Sequence, residues 1–195
     1  YIAAGGEWSN YDNDGAILVS DDQGRAWRKT GLADIPMGGN EEWRWAGERL
    51  AVDANNPGVL YYGNRQRGLF KSVDAARTWT SLDVPQKGAN NNGIVFVVVD
   101  ASSAMEGNQS SIVYYATFDA NSGSRIFKST TGGNSWSNIT PGSLNTTRIH
   151  PTRAAISSEG TLYVTFMAGT GDKTGTNMRY TGSWTDFSPA GPKPY

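Results

Sequence analysis

The octapeptide SDDQGRAW, Ser20–Trp27, sets two adjacent carboxylates beside a glycine and closes on a tryptophan, so it reads as either a reactive site or a turn. Its recurrence decides between them. SVDAARTW follows 52 residues later at Ser72–Trp79, and STTGGNSW a further 57 on at Ser129–Trp136; a worn copy ends at Trp184 in NMRYTGSW. Ala76 replaces the glycine in one copy and Thr131 the aspartate in another, losses that chemistry would not survive but a turn can. A period of about 50 residues marks a repeat architecture of one supersecondary unit per period.

Each turn sits at the end of a recurring series of short apolar runs. From Gly47 to Leu82 these are ERLAVD, VLYYG, GLFKS and TWTSL, separated by ANNPG, NRQR and VDAAR. Four antiparallel strands of about five residues with Gly, Pro and Asn between them describe one blade of a β-propeller. The series repeats as GIVFVVVD, SIVYYATF, RIFKS and SWSNI, and again as TRAAISS, TLYVTFM, NMRYT and SWTDFS. The opening stretch supplies only YIAAGGEWS, AILVS and AWRKT, which predicts an incomplete first blade whose innermost strand precedes Tyr1. The expected fold is all-β, with blades at about 1–46 (incomplete), 47–88, 89–147 and 148–195. In each turn the Asp should accept backbone N–H bonds and the Gly should supply a positive φ. Trp27, Trp79 and Trp136 are expected to pack between blades as core.

Composition narrows the function. With 17 basic and 18 acidic side chains, the chain has no general electrostatic affinity for nucleic acid or an anionic membrane surface. The longest apolar run, Ile94–Val99, is far too short to cross a bilayer as a helix. Cysteine is absent, so no disulfide holds the fold, and three Asn-x-Ser/Thr sequons at Asn108, Asn138 and Asn145 are compatible with secretion. No cofactor motif occurs: the glycine-rich Ala168–Asn177 lacks the GxxxxGK[ST] pattern and reads as a loop. Asn10–Asp21 has near-EF-hand spacing, but its flanks read as strands, so no metal site is expected.

The turns resemble the Asp-box repeats of sialidases, sortilin-type propellers and several glycoside hydrolases. A longer segment is more specific. GGNEEWRWAGERLAVDANNPGVLYYGNRQRGLFKSVDAARTW, Gly38–Trp79, is similar to the xyloglucanases of glycoside hydrolase family 74, as are NDGAILVSDDQGRAW before it and SSEGTLYVTF after it. The resemblance implies two seven-bladed propellers facing across a cleft that holds a β-1,4-glucan decorated with xylose. It also implies a secreted, inverting hydrolase with one aspartate as general base in an RTDVGG-like motif and another as general acid in the second propeller. Neither motif is present in this chain. An inverting pair needs carboxyls about 6.5 to 9.5 Å apart, and no residues here are nominated for it. The chain is therefore expected to be an internal piece of the first propeller, inert alone and dependent on the remaining blades and the second propeller. The alternative is a non-catalytic Asp-box propeller, sortilin-like or lectin-like, binding a glycan or a protein.

In a propeller the loops before the innermost strand and between the second and third strands open on one face, opposite the Asp-box turns. That rule puts Trp43, Arg44 and Trp45 on the ligand face, with Trp8 and Tyr11 in a second loop and Asn64, Arg65 and Arg67 in a third. His150, the single histidine, lies just before an innermost strand on the same side. Flat aromatic rings stack on pyranose C–H groups, while Arg and Asn donate directional hydrogen bonds to hydroxyls. These nine residues are the candidate carbohydrate contacts. Packing between blades is the competing role for the tryptophans, and a hydrogen-bonded structural role is the competing one for His150.

Overall fold

A computed structural model describes residues 1–4, 15–35, 49–87, 93–104, 109–168 and 176–186. Within them the chain forms antiparallel sheets from consecutive strands. The first holds β1 (Ile2–Ala4), β2 (Gly15–Val19) and β3 (Arg28–Ile35); the second β4 (Leu50–Val52), β5 (Leu60–Asn64), β6 (Gly68–Ser72) and β7 (Thr80–Ser81). The third holds β8 (Ile94–Val99), β9 (Val113–Thr117), β10 (Ile126–Ser129) and β11 (Ser137–Asn138), and the fourth β12 (Ile149–Ile156), β13 (Leu162–Ala168), β14 (Thr176–Tyr180) and β15 (Trp184–Asp186). One 3-10 turn, Ala101–Ser103, interrupts an otherwise all-β chain, and these sheets are the blades that the repeats predict.

The cores lie between successive sheets, because a strand in a stack must bury both faces and successive side chains point opposite ways. The paired tyrosines show this directly. Tyr62 packs toward the first sheet with Ile17, Leu32 and Ile35, while Tyr61 packs toward the third with Val97, Val113 and Tyr115. One sheet on, Tyr115 faces back into that same layer and Tyr114 faces forward to Leu162, Val164 and Phe166 of the fourth sheet.

The Asp-box turns have the bonding their sequence calls for. Ser20 Oγ accepts the Gly24 N–H at 2.7 Å, and Asp22 Oδ1 accepts the Ala26 N–H at 2.9 Å. Ser72 and Asp74 repeat the pair on Ala76 and Thr78, each at 2.9 Å. In the third copy Thr131 Oγ1 takes the aspartate's place and accepts the Ser135 N–H at 3.0 Å. Two consecutive residues are left-handed in each of the first three copies, Gln23 and Gly24, Ala75 and Ala76, Gly132 and Gly133, whereas the worn copy has Gly182 alone.

One expectation fails in part. Trp79 and Trp136 are half-buried, packed against the cluster at the preceding sheet boundary, but Trp27 is 44% exposed. The tryptophan of each turn leans on the sheet before its own, and the first sheet has no earlier sheet among the described residues. Burial of this residue is a property of its neighbour.

A buried carboxylate ties the second sheet to the third at the Asp-box end. Asp53, fully buried after β4, accepts the Ser110 N–H at 2.6 Å, the Ser110 hydroxyl at 2.7 Å and the Asn55 N–H at 2.9 Å.

Candidate functional site

The opposite end of the strands carries the loops expected to meet a ligand. Trp8, Tyr11, Trp43, Arg44 and Trp45 lie outside the described residues, and so does the part of the EF-hand-like stretch from Asn10 to Asp14. Asn64, Arg65, Arg67 and His150 are described. They belong to a line of loops that runs continuously across the second, third and fourth sheets.

At one end of that line, the β5–β6 loop turns on Asn64. Its Oδ1 accepts the N–H groups of Gln66 at 2.8 Å and Arg67 at 2.9 Å, so the amide oxygen shapes the loop from a fully buried position. Arg65 is buried beside it, and Arg67 is exposed. Gly93, entering β8 at φ +51°, lies so close that an added Cβ would sit 2.2 Å from Arg65 Cα, which leaves glycine as the residue that fits. Arg49, opening β4, donates from Nε to the Ile94 carbonyl at 2.9 Å, joining the entries of two innermost strands. Its burial lowers the guanidinium pKa from its ordinary value, partly offset by Tyr62, whose phenol burial pushes up to about 12.

The middle of the line is the β9–β10 loop, which holds the densest polar network on this face. Asp119 Oδ1 accepts the Asn121 and Ser122 N–H groups at 3.0 and 2.8 Å, and its Oδ2 accepts the Ser122 hydroxyl and the Gln86 amide. Burial alone would raise this carboxyl's pKa; the hydrogen bonds from Ser122, Asn121 and Gln86 outweigh it and hold the group below its ordinary value. Gln86 reaches in from the β7–β8 connection. Its Nε2 also bonds the Gly123 carbonyl at 3.3 Å, its Oε1 accepts the Thr117 hydroxyl at 2.9 Å, and its carbonyl accepts the Tyr115 hydroxyl at 3.2 Å.

His150 anchors the far end. It is 3% exposed, its ring lies 4.2 Å from that of Phe118, and its Nδ1 is 2.7 Å from Ser124 Oγ. Ser124 Oγ already accepts the Asp119 N–H at 3.0 Å, so the arrangement that uses the serine proton donates it to Nδ1 of a neutral ring. Burial lowers the imidazole pKa, with Asp119 opposing the shift. Arg125 completes the tie by donating to Thr146 Oγ1 at 2.7 Å and to the Ser122 and Ser124 carbonyls.

The chemistry available in this network is positioning. Four donors occupy the Asp119 oxygens, and a carboxylate so satisfied serves as an anchor for the loop backbone. Exposed above it are Ala120, Asn121 and Ser122. Among the described residues no group of three or more His, Cys, Asp or Glu side chains could hold a metal ion. Gln86, Asp119, Ser124 and Thr146 were not foreseen. The signal for the first part was present in FDANSGS after β9, where an Asp followed by Asn and Ser marks a side-chain-to-backbone turn.

Comparison with known proteins places the chain among similar molecules. No protein-family model matches it. A xyloglucanase of Acetivibrio thermocellus is 35% identical over 97% of this chain and 24% of its own length. A probable oligoxyloglucan-reducing end-specific xyloglucanase of Neosartorya fischeri is 34% identical over the whole chain and 26% of its own. The crystal structure of the glycoside hydrolase family 74 xyloglucanase of Xanthomonas campestris superposes with a TM-score of 0.79 at 27% identity, covering 98% of this chain and 29% of that one. The chain is thus homologous, over nearly its whole length, to xyloglucanases of family 74, and spans about a quarter of the length of the curated relatives it matches.

Proposed function

We propose that this chain is part of a secreted glycoside hydrolase acting on xyloglucan and related β-1,4-glucans. It contributes loops to the substrate cleft, while the catalytic acid and base belong to other parts of the enzyme. The observation that carries the reading is the homology to xyloglucanases across 97% of the chain. In this reading Trp43, Trp45, Trp8 and Tyr11 offer rings to the pyranose faces of the glucan backbone, and Arg44 and Arg67 donate to its hydroxyls. Asn64, Arg65 and His150 act beneath them, holding the loops that carry the contacts. The partners are the polysaccharide, the remaining blades and a second propeller.

The test is paired. The 195-residue chain should be retarded in a native gel containing xyloglucan yet release no reducing sugar from it, and Trp43→Ala with Trp45→Ala should abolish the retardation. Unretarded migration of the folded wild type would count against the cleft assignment, and sugar release by the chain alone would count against the assignment of the catalytic residues elsewhere.

A further inference from the structure

Asn138-Ile139-Thr140 and Asn145-Thr146-Thr147 both carry the spacing at which an asparagine accepts an N-linked glycan, and the structure separates them. Asn138 ends β11, the outer strand of the third sheet, where it pairs with Phe127 of β10. Both faces of that sheet are covered by sheets of this same chain, the second on one side and the fourth on the other. The Asn138 side chain is nevertheless exposed, along with its neighbour Ser137.

Local bonding prepares the amide. Asn138 Oδ1 accepts the Thr140 N–H at 2.9 Å and the Thr140 hydroxyl at 2.6 Å. Thr140 Oγ1 itself accepts the Ile126 N–H at 2.9 Å, which fixes the oxygen and directs its single proton at Asn138. Two donors on the amide oxygen polarise the carboxamide and make the Nδ2 protons more acidic. No hydrogen bond among the described residues occupies Nδ2. The turn spans three residues, so the chain can form it before the sheets assemble, and the folded sheet leaves the same side chain outside.

Asn145 is placed differently. Its Oδ1 accepts the Thr147 hydroxyl at 2.8 Å, and it stands in the β11–β12 connection beside Thr146, which Arg125 ties into the loop network. A glycan there would stand at the end of the strands that carries the substrate loops.

We propose that Asn138 is an acceptor of an N-linked glycan, an inference that rests on the reading of the chain as part of a secreted protein. The co-reactant is an oligosaccharide joined through pyrophosphate to a polyprenyl lipid, presented by the transferase of a secretory pathway. Nδ2 forms a bond to the anomeric carbon of the first sugar as the bond from that carbon to the pyrophosphate oxygen breaks. The electron pair leaves with the lipid pyrophosphate, and the amide proton passes to a base of the transferase. The product is a bulky hydrophilic chain on the outer edge of the sheet, where the β11 backbone has no further strand to pair.

The test is expression behind a yeast secretion leader. The leader delivers the chain to the lumen whatever its own source does, so failure there counts against Asn138 and not against the secretion reading. Cleavage by peptide N-glycosidase in heavy-oxygen water turns each glycosylated asparagine into a labelled aspartate, located by peptide mass spectrometry on medium and cells together. The label should appear at position 138, vanish there in Asn138→Gln and Thr140→Ala, and persist in Thr140→Ser, which keeps the hydroxyl. Thr140→Ala also removes the acceptor of the Ile126 N–H, so Asn138→Gln and Thr140→Ser decide the matter if that variant fails to fold. No label at position 138, label confined to Asn145 or Asn108, or loss of the label in Thr140→Ser would overturn the proposal.

Discussion

Ala75 holds the backbone position that Gly132 holds one repeat later, at φ +58° against +63°. In both turns the N–H of this residue donates to a carbonyl two residues before the second strand of its own blade, that of Gly58 in one case at 2.9 Å and of Ser111 in the other at 2.8 Å. A left-handed alanine costs roughly 1–2 kcal/mol, part of which glycine returns as unfolded-state entropy. Ala75→Gly should therefore raise stability by about 0.5–1 kcal/mol, read as a higher urea midpoint with an unchanged slope. Gly132→Ala should move the midpoint the other way. A lower midpoint for Ala75→Gly would show that the turn does not store this strain.

Removing the Asp53 carboxylate leaves the buried Ser110 N–H without its acceptor. Asp53→Ala should cost about 2–4 kcal/mol, and Asp53→Asn, which keeps an oxygen in place, clearly less. Chemical denaturation of both variants checks it; equal losses would mean that the side chain fills space and does not bridge the sheets.

His150 makes the fold sensitive to mild acid. Its pKa is lowered in the folded state, so the unfolded chain binds the proton more readily. The contribution is fully present above the ordinary imidazole value of about 6.5 and is lost as pH falls through that value toward the folded one. Protonation at Nδ1 also breaks the bond from Ser124. Urea midpoints from mildly alkaline to mildly acid pH should fall below about pH 6.5 for the wild type and flatten for His150→Phe. The same slope in both proteins would assign the effect to another group.

Gln86→Ala should loosen the β9–β10 loop without melting the sheets, because Gln86 bonds Asp119, Gly123 and Thr117 from a connection more than thirty residues away in sequence. Hydrogen exchange at residues 119–125 should quicken by about tenfold, the equivalent of one hydrogen bond of ordinary strength. Unchanged exchange there would place control of the loop with Ser124 and His150 instead.

Two tryptophans of the same motif should respond differently to truncation. Trp136→Ala removes a ring packed edge-on to Tyr115, with centroids 4.8 Å apart, and should cost about 2–4 kcal/mol. Trp27→Ala should stay within about 0.5 kcal/mol of the wild type in dilute solution.

The strands and turns were legible because their signals are local. Alternation in VLYYG or IVYYA places successive tyrosines on opposite faces, and the S-x-D-x-G pattern carries its own hydrogen bonds. Trp27 was misjudged as core for the complementary reason: its sequence context equals that of Trp79, and the difference lies in an adjacent sheet. The loop network was hidden likewise, since Gln86 has no local mark and gains meaning only when Asp119 folds against it. Asn64 was read as a hydrogen-bond donor to a ligand, and its amide oxygen serves the turn of its own loop.

Because each turn's tryptophan finds its contacts on the sheet encoded before it, with Trp79 on the first, Trp136 on the second and Trp184 donating to Ile139 of the third, completion of the structure has a direction. A newly made sheet meets a finished surface as it leaves the ribosome, whereas a chain refolding from denaturant can begin anywhere along its length. Synthesis from the amino end is thus the order in which no sheet waits for its support.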